Sequence, residues 1–318
     1  MPIKFIFIIS PRTHFLDLAG PDQVFFEAIF YKAPFELEYC SFANDQAGTA
    51  SGLRFSHLKH YSEIAPQKGD YIFIPGMDTE VITNSHREAM PDLFRWLFAA
   101  YESGANLCSV CTGAFLLAAA GLLNGKTCTT HWKYTQKLQQ AYPRVKVQEN
   151  VLFTEKDGIF TSAGIASGVD LALHIVEKEM GAYFANKVAR EIVVYIRREG
   201  GQAQQSVFMS HRNHIHAGIH AVQDWLVDHL DQKASLAQLA DLAHMSTRNF
   251  TRIFKKETGI TLGDYLTLLR REKIAELLKK PDLSKRQIAR QVGLESERQL
   301  SRLMKEGSRG EAFLARLE

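Results

Sequence analysis

From residue 3 to about residue 198, strand-like and helix-like apolar patterns alternate along the chain. Ile3–Ile9 is a near-continuous run of β-branched and aromatic residues, the pattern of a strand covered on both faces of a parallel sheet. Phe15–Pro21 then enters a helix that reaches about Ile29. Phe35–Phe42 and Tyr71–Ile74 predict two further strands, the second closed by Pro75-Gly76. Met90–Ser103 predicts a helix, with Leu93, Trp96, Leu97 and Ala100 at helical spacing. Leu107–Val110 predicts a strand that turns sharply at Cys111-Thr112-Gly113 into an Ala/Leu-rich helix through Leu123. Val151–Thr154 and Ile159–Thr161, joined through Asp157-Gly158, read as a hairpin. Ser167–Met180 and Ala182–Arg197 read as helices. This alternation predicts an α/β domain, a mostly parallel sheet with helices on both faces.

Beyond Arg198 the pattern changes. Glu199–Ser206 is polar and lacks periodicity, as a linker would, and everything after it is helical in pattern. We therefore expect one domain over residues 1–200, a linker over 201–215 and an all-α domain over 216–318. Ser235 is an N-cap before Leu236, Leu239 and Ala240 at core spacing. His244-Met245 make a short turn, and Ser246 caps a helix whose Phe250, Ile253 and Phe254 form an inward stripe. Arg248, Thr251, Arg252 and Lys255 fall on the opposite or flanking face, which is the helix-turn-helix pattern. The pattern recurs: Ser284–Gln291 is a short helix, Gly293 the turn, and Glu295–Lys305 a second candidate reading helix. A long helix from about Leu262 to Lys279 joins the two units, which could then enter successive major grooves roughly 34 Å apart. The alternative for the second unit is a packing helix that positions the first.

Charge supports this division. Residues 1–211 hold 19 Lys+Arg against 21 Asp+Glu, whereas residues 212–318 hold 19 against 14. The basic part points to a polyanion, here double-stranded DNA. Lys279-Lys280 and Lys285-Arg286, on either side of Pro281, are further phosphate candidates or merely solvated. The longest apolar run, Ala114–Leu123, is too short to span a bilayer, and the N-terminal MPIKFIFIIS reads as a buried strand rather than a signal peptide. Four cysteines, Cys40, Cys108, Cys111 and Cys128, give no disulfide framework, so the cytoplasm is expected.

The sharpest chemistry is at Cys111. A cysteine on a tight strand-to-helix turn is where α/β proteins expose a nucleophile; Gly113 permits the turn, and the helix N-terminus favours a thiolate. His131 follows closely enough to return to the same site, so this stretch alone reads as a Cys/His enzyme. Cys108-Ser-Val-Cys111 has redox-motif spacing, but Cys108 falls within the strand and reads as packing. His211, His214, His216 and His220 straddle the linker and a helix start without a neighbouring Cys, and we expect no metal there. Trp225, with Val222 and Leu230, reads as core. With neither a GxxxxGK loop nor a GxGxxG motif, no nucleotide cofactor is expected.

Two resemblances extend this reading. M-S-x-R-x-F-x-R-x-F-K-K-E-T-G from Met245 to Gly259 and I-A-x-x-V-G-L-E-S from Ile288 to Ser296 resemble the AraC family of bacterial transcription regulators, over about Val222–Leu317. The resemblance implies base-reading positions at Arg248, Thr251 and Arg252, then at Glu297, Arg298, Ser301 and Arg302. The sequence departs from the family where His244 stands for a frequent Gly, Leu262 for a usual Pro and Leu294 for a common Phe, and the segment after Lys305 lacks a second Pro. The first 205 residues resemble the PfpI/ThiJ-like branch of the class I glutamine-amidotransferase-like (flavodoxin-like) fold. That resemblance is carried by Ser109–Lys126, Thr129–Trp132, Leu16–Pro21, Ile74–Gly76 and Ser162–Asp170. Arg198–Gln204 matches the end of that domain in proteins fused to an AraC-type tail.

The second resemblance implies a pocket. Cys111 is its elbow cysteine, His131 a potential partner, and Asp17 the acid that approaches the sulfur. The N–H groups of Met77, after Gly76, and of Thr112 would form an anion-binding nest. In the fused branch it implies sensing rather than turnover, so no catalytic residue is expected. The expectation is a homodimer, joined through its N-terminal domains, that binds a small effector at Asp17, Gly76, Met77, Cys111, Thr112 and His131, and promoter DNA through its C-terminal domain. The alternative is a Cys111-dependent hydrolase or hydratase of small nitrogen compounds that uses His131 or Asp17 to move protons.

Overall fold

β1 (Ile3–Ile9) occupies the middle of a sheet because its side chains suit two apolar faces at once. Ile6 and Ile8 join one buried cluster, and Phe5, Phe7 and Ile9 join another. The structure is a computed structural model that describes residues 2–42, 47–78, 90–194, 197–278 and 282–304. It divides into two compact units, Met1–Gln204 and Gln205–Glu318.

In the first unit, β1 is joined by β2 (Phe35–Ser41), β3 (Lys59–His60), β4 (Tyr71–Ile74), β5 (Asn106–Val110), β8 (Phe153–Lys156) and β9 (Ile159–Ser162). Among the described residues they form a seven-stranded sheet in the order β3-β2-β1-β4-β5-β9-β8. Every pairing is parallel except β8 with β9, the predicted hairpin. Helices Pro91–Glu102, Ala114–Ala119 and Thr135–Ala141 cover one face. Phe15–Phe30, Ala166–Met180 and Ala182–Glu191 cover the other. Strand order reverses between β1 and β4, so the loops leaving their carboxyl ends diverge and open a crevice there.

Several expectations need correction. The Ala/Leu-rich helix ends at Ala119 rather than Leu123, and Leu122 and Leu123 are buried from a turn in which Gly121 has φ 80°. The helix expected to reach Arg197 ends at Glu191, and Val193 takes a left-handed φ of 57°. Arg197 and Arg198 then return to Glu177 and Asp170, at 2.5 and 2.6 Å. A two-stranded parallel sheet of β6 (Thr127–Cys128) and β7 (Lys146–Val147) was too short to leave a pattern. The polar stretch expected to be a free linker is partly bound. Gly200 O accepts from the Leu152 and Phe153 N–H groups at 2.8 and 3.2 Å, and helix Val207–Ser210 already belongs to the second unit.

In the second unit, helices Ala217–Asp228, Leu236–Leu242, Thr247–Thr258, Leu262–Leu277, Lys285–Gln291 and 297–304 enclose a core that includes Phe250, Phe254, Tyr265, Ile288 and Leu300. Ser235 and Ser284 make full capping boxes with Gln238 and Gln287, while Ser246 and Thr261 cap the helices that follow them. Leu262 is the first residue of its helix, a position whose N–H needs no intrahelical partner, so a Pro can be exchanged for Leu without loss of the start. His244 takes φ 55° in the first turn, where Gly293 takes φ 68° in the second. The second reading helix begins at residue 297, not at Glu295, after Ser296 Oγ accepts the Gln299 N–H at 3.3 Å. Lys279, Lys280, Pro281, Lys305 and the segment after it lie outside the described residues. Trp225 is only partly buried and stacks on His229. Among the described residues no helix is long and apolar enough to cross a membrane.

Candidate functional site

The crevice at the carboxyl ends of β1, β4, β5 and β9 is where the elbow lies. Cys111 leaves β5 with φ 56°, in the left-handed region that non-glycine residues avoid, and opens the turn Cys111–Gly113. Three glycines let the backbones close on it. A Cβ on Gly113 would lie 2.1 Å from Ile74 O, and one on Gly76 would lie 2.2 Å from Asp17 Oδ2. Gly164, at φ 103°, would place a Cβ 2.5 Å from that of Cys111.

Asp17 is fully buried in the first turn of helix Phe15–Phe30. Its Oδ1 accepts the Ile165 N–H at 2.6 Å. Oδ2 makes no well-formed hydrogen bond and is left to the Cys111 thiol and to His14 Nδ1, 3.4 Å away. His14, Asp17 and Cys111 offer one donor atom each within 4.8 Å of one another, the one such group of three among the described residues. Nitrogen, oxygen and sulfur together suit a borderline cation such as Zn²⁺, which would have to displace the thiol proton.

The electrostatics oppose the expected thiolate. Burial pushes the Cys111 thiol far up, and the Asp17 charge pushes it further, against a smaller pull from the Thr112 N–H. A turn of helix dipole does not outweigh a buried carboxylate in contact. His14 is raised by the Asp17 carboxylate beside it, with burial acting against this. His131 is lowered by burial, and the Asp17 charge offsets part of that.

Two further expectations fall here. The Met77 N–H does not face open space: it donates to Thr112 Oγ1 at 2.9 Å, and that hydroxyl donates to Met77 O at 2.6 Å. The Thr112 side chain therefore fills the expected nest. His131 stays outside the three-donor group, and its Nδ1 accepts the Lys133 N–H at 3.3 Å. The residue missed was His14, three positions before Asp17 at the start of one helix, a spacing that puts both side chains on one face. Of the six expected effector residues, only His131 is appreciably exposed; Asp17, Gly76, Met77, Cys111 and Thr112 are buried. Around them Phe15, Leu16, Trp132 and Ile165 are exposed.

The other constellations are plain. Cys108 is a buried, free thiol, raised by desolvation. His211 Nδ1 pairs with Thr258 O at 2.9 Å and His220 Nε2 with His214 O at 2.8 Å, so these histidines satisfy backbone.

On helix Thr247–Thr258, Phe250 and Phe254 are fully buried, while Arg248, Thr251, Arg252 and Lys255 are exposed. They border an open groove of about 770 Å³ whose far side is Thr261-Leu262-Gly263. The Thr251 hydroxyl is returned to the Thr247 and Arg248 carbonyls at 3.1 and 3.0 Å. Arg252 Nη2 donates to Asn249 Oδ1 at 2.9 Å, so Asn249, unremarked in the sequence, orients that guanidinium. On helix 297–304, Glu297, Arg298, Ser301 and Arg302 are all exposed.

Known proteins match both units. The DJ-1/PfpI family matches residues 4–178, and a helix-turn-helix domain family matches residues 239–307. The HTH-type transcriptional regulator GbdR of Pseudomonas aeruginosa is 28% identical over 236 residues, 73% of this chain and 64% of GbdR. The isonitrile hydratase of Pseudomonas putida is 40% identical over 85 residues, 26% of this chain and 36% of that enzyme. An AraC family transcriptional regulator structure from Pseudomonas putida shares the fold, with TM-score 0.52 and 20% identity over 60% of this chain and all of that one. By the sheet, the elbow and the capped helix pairs alike, the chain belongs to the DJ-1/PfpI family and carries an AraC-type helix-turn-helix domain in its second unit.

Proposed function

We propose that this protein is an effector-responsive, DNA-binding transcription regulator of the cytoplasm. The observation that carries the reading is the helix Thr247–Thr258: aromatic side chains anchor one face, and Arg248, Thr251, Arg252 and Lys255 stand in water on another. Arginines so held suit guanine edges and phosphates. Arg298, Ser301 and Arg302 would extend the contact from the second reading helix, and Glu297 would accept from a cytosine. The first unit would sense a small molecule. Since the sulfur is covered, the effector would rest on the exposed rim of His14, His131, Trp132 and Ile165 rather than on Cys111. Exposed Phe26, Phe30 and Tyr183 supply apolar area for a homodimer joined through the first units.

Duplexes selected from a random pool by the wild-type protein supply the test. Arg252→Ala is expected to weaken binding to the selected sequence by about 1–3 kcal/mol with unchanged folding. Equal affinity in that variant, or no selection by the wild type, rejects the reading.

One observation favours a second reading. A strained Cys111 with Asp17 and His14 beside it is an arrangement that chemistry uses. Against turnover stand the protonated thiol and the filled nest. Turnover of isonitriles, nitriles, amides and aldehydes by wild type and Cys111→Ser separates the readings, because Cys111-dependent turnover well above background defeats a purely sensing role.

A further inference from the structure

Neither the elbow nor the reading helix accounts for the polar stretch that ends the first unit. Gln204 is the last residue of that unit, and the second begins at Gln205. Its side chain holds the segment beside the elbow on both sides of His131. Gln204 Nε2 donates to Thr130 O at 3.0 Å and to Thr129 Oγ1 at 3.3 Å, while the Trp132 N–H donates to Gln204 Oε1 at 2.7 Å. Thr130 in turn donates from its hydroxyl to the Cys111 carbonyl at 2.8 Å. The main chain around Gln204 is tied down as well: its N–H reaches Asn150 Oδ1 at 3.1 Å, and a Cβ on Gly200 would lie 2.6 Å from Phe153 O.

A glutamine amide carries one acceptor oxygen and two N–H donors, so a single side chain can clasp the peptide before His131 and the peptide after it. A molecule that draws the His131 main chain with it strains one of those peptides, and either movement loosens Gln204. The path from the Cys111 carbonyl runs by a hydrogen bond to the Thr130 hydroxyl, through the covalent frame of Thr130 to its carbonyl, and by a second hydrogen bond to the last residue before the second unit.

We propose that Gln204 is the positioning residue that couples occupancy of the His131 rim to the start of the second unit. A ligand that displaces the His131 main chain releases the clasp. This rests on the reading of the first unit as a sensor, and it gives that reading a physical output.

The test uses the full chain and needs no ligand. Hydrogen exchange is followed by mass spectrometry in wild type, Thr130→Val, Gln204→Ala, Gln204→Glu and the Thr130→Val/Gln204→Ala double variant. Thr130→Val keeps the side-chain shape and removes the hydroxyl. It is expected to accelerate exchange in residues 202–206 about fivefold, and Gln204→Ala to accelerate the Trp132 amide similarly. Because both break one network, the double variant should exchange no faster than the faster single one, whereas independent contacts would multiply. Gln204→Glu keeps the acceptor for Trp132 and loses the donor to Thr130, so it should fall between wild type and Gln204→Ala. Residues 202–206 exchanging at the wild-type rate in Thr130→Val, multiplying effects, or equal acceleration in β1 and β4 would each overturn the proposal. In a second arm, Gln204→Ala should change affinity for a selected duplex with two half-sites about fivefold and leave a single half-site unaffected. Unchanged affinity for both overturns the coupling to DNA. Failure of the wild type to select any duplex rejects the regulator reading instead, and the exchange result still decides the clasp.

Discussion

The elbow and the first reading helix both set polar side chains on helical segments, and they treat water in opposite ways. At the elbow Asp17 and Cys111 are sealed, and one carboxylate oxygen is left to a histidine and a thiol. On helix Thr247–Thr258 the arginines and Lys255 remain solvated, and the fold only holds the helix beneath them. The first arrangement draws its chemistry from close approach of distant segments. The second draws it from period alone. Perturbations should therefore divide: small changes at the elbow disturb folding and protonation, and those on the reading helix disturb DNA affinity only.

The largest expected effect is that of Gly164→Ala. A side chain there is strained at φ 103° and meets Cys111 Cβ at 2.5 Å, so a loss of about 3 kcal/mol is expected in urea unfolding of the first unit. A loss under about 1 kcal/mol would show that the elbow yields more readily than its packing implies.

Asp17→Asn should leave the Ile165 hydrogen bond in place and remove the charge. His14 then titrates lower by NMR, and Cys111 alkylates faster as its thiol pKa falls. The stability consequence has a definite sign. Because the folded pKa of His14 lies above its ordinary 6.5, its contribution is complete below that pH and is lost as pH rises through the folded pKa. In Asp17→Asn that decline should flatten; an unaltered pH profile would assign it to another group.

Lys255→Ala should weaken all duplexes alike and reduce the salt slope of binding by about 1, as loss of one phosphate contact does. A change in sequence preference instead would make Lys255 a base reader. The smallest effect is expected of His244→Gly. Relief of a left-handed residue in an exposed turn should stabilise the second unit by about 1 kcal/mol, read from its thermal midpoint. No gain would mean that the imidazole makes a compensating contact.

Much of the second unit was legible in advance because its information is local. Caps Ser235, Ser246 and Ser284, the stripe of Phe250 and Phe254, and the outward arginines all lie within a few residues of the turns they define. The strands β1, β4 and β5 were equally plain, since burial on both faces demands continuous apolar runs. Period and spacing could not say which groups meet at the elbow. His131 was the natural partner for Cys111 along the chain, yet His14 comes with Asp17 from the start of the helix that follows β1, almost a hundred residues before Cys111 and two strands from β5 in the sheet.

What composition and pattern alone established was the two-part plan: an apolar α/β body, a basic helical tail, and a cysteine on a sharp turn. Only the tertiary structure decided the state of that cysteine. Its protonation depends on burial and on a carboxylate delivered by the helix that follows another strand. The filling of the nest depends on a threonine hydroxyl meeting a backbone amide 35 residues away. The end of the first unit likewise proved to be a clasp rather than a tether, because the partners of Gln204 lie in a segment that the sequence does not place beside it.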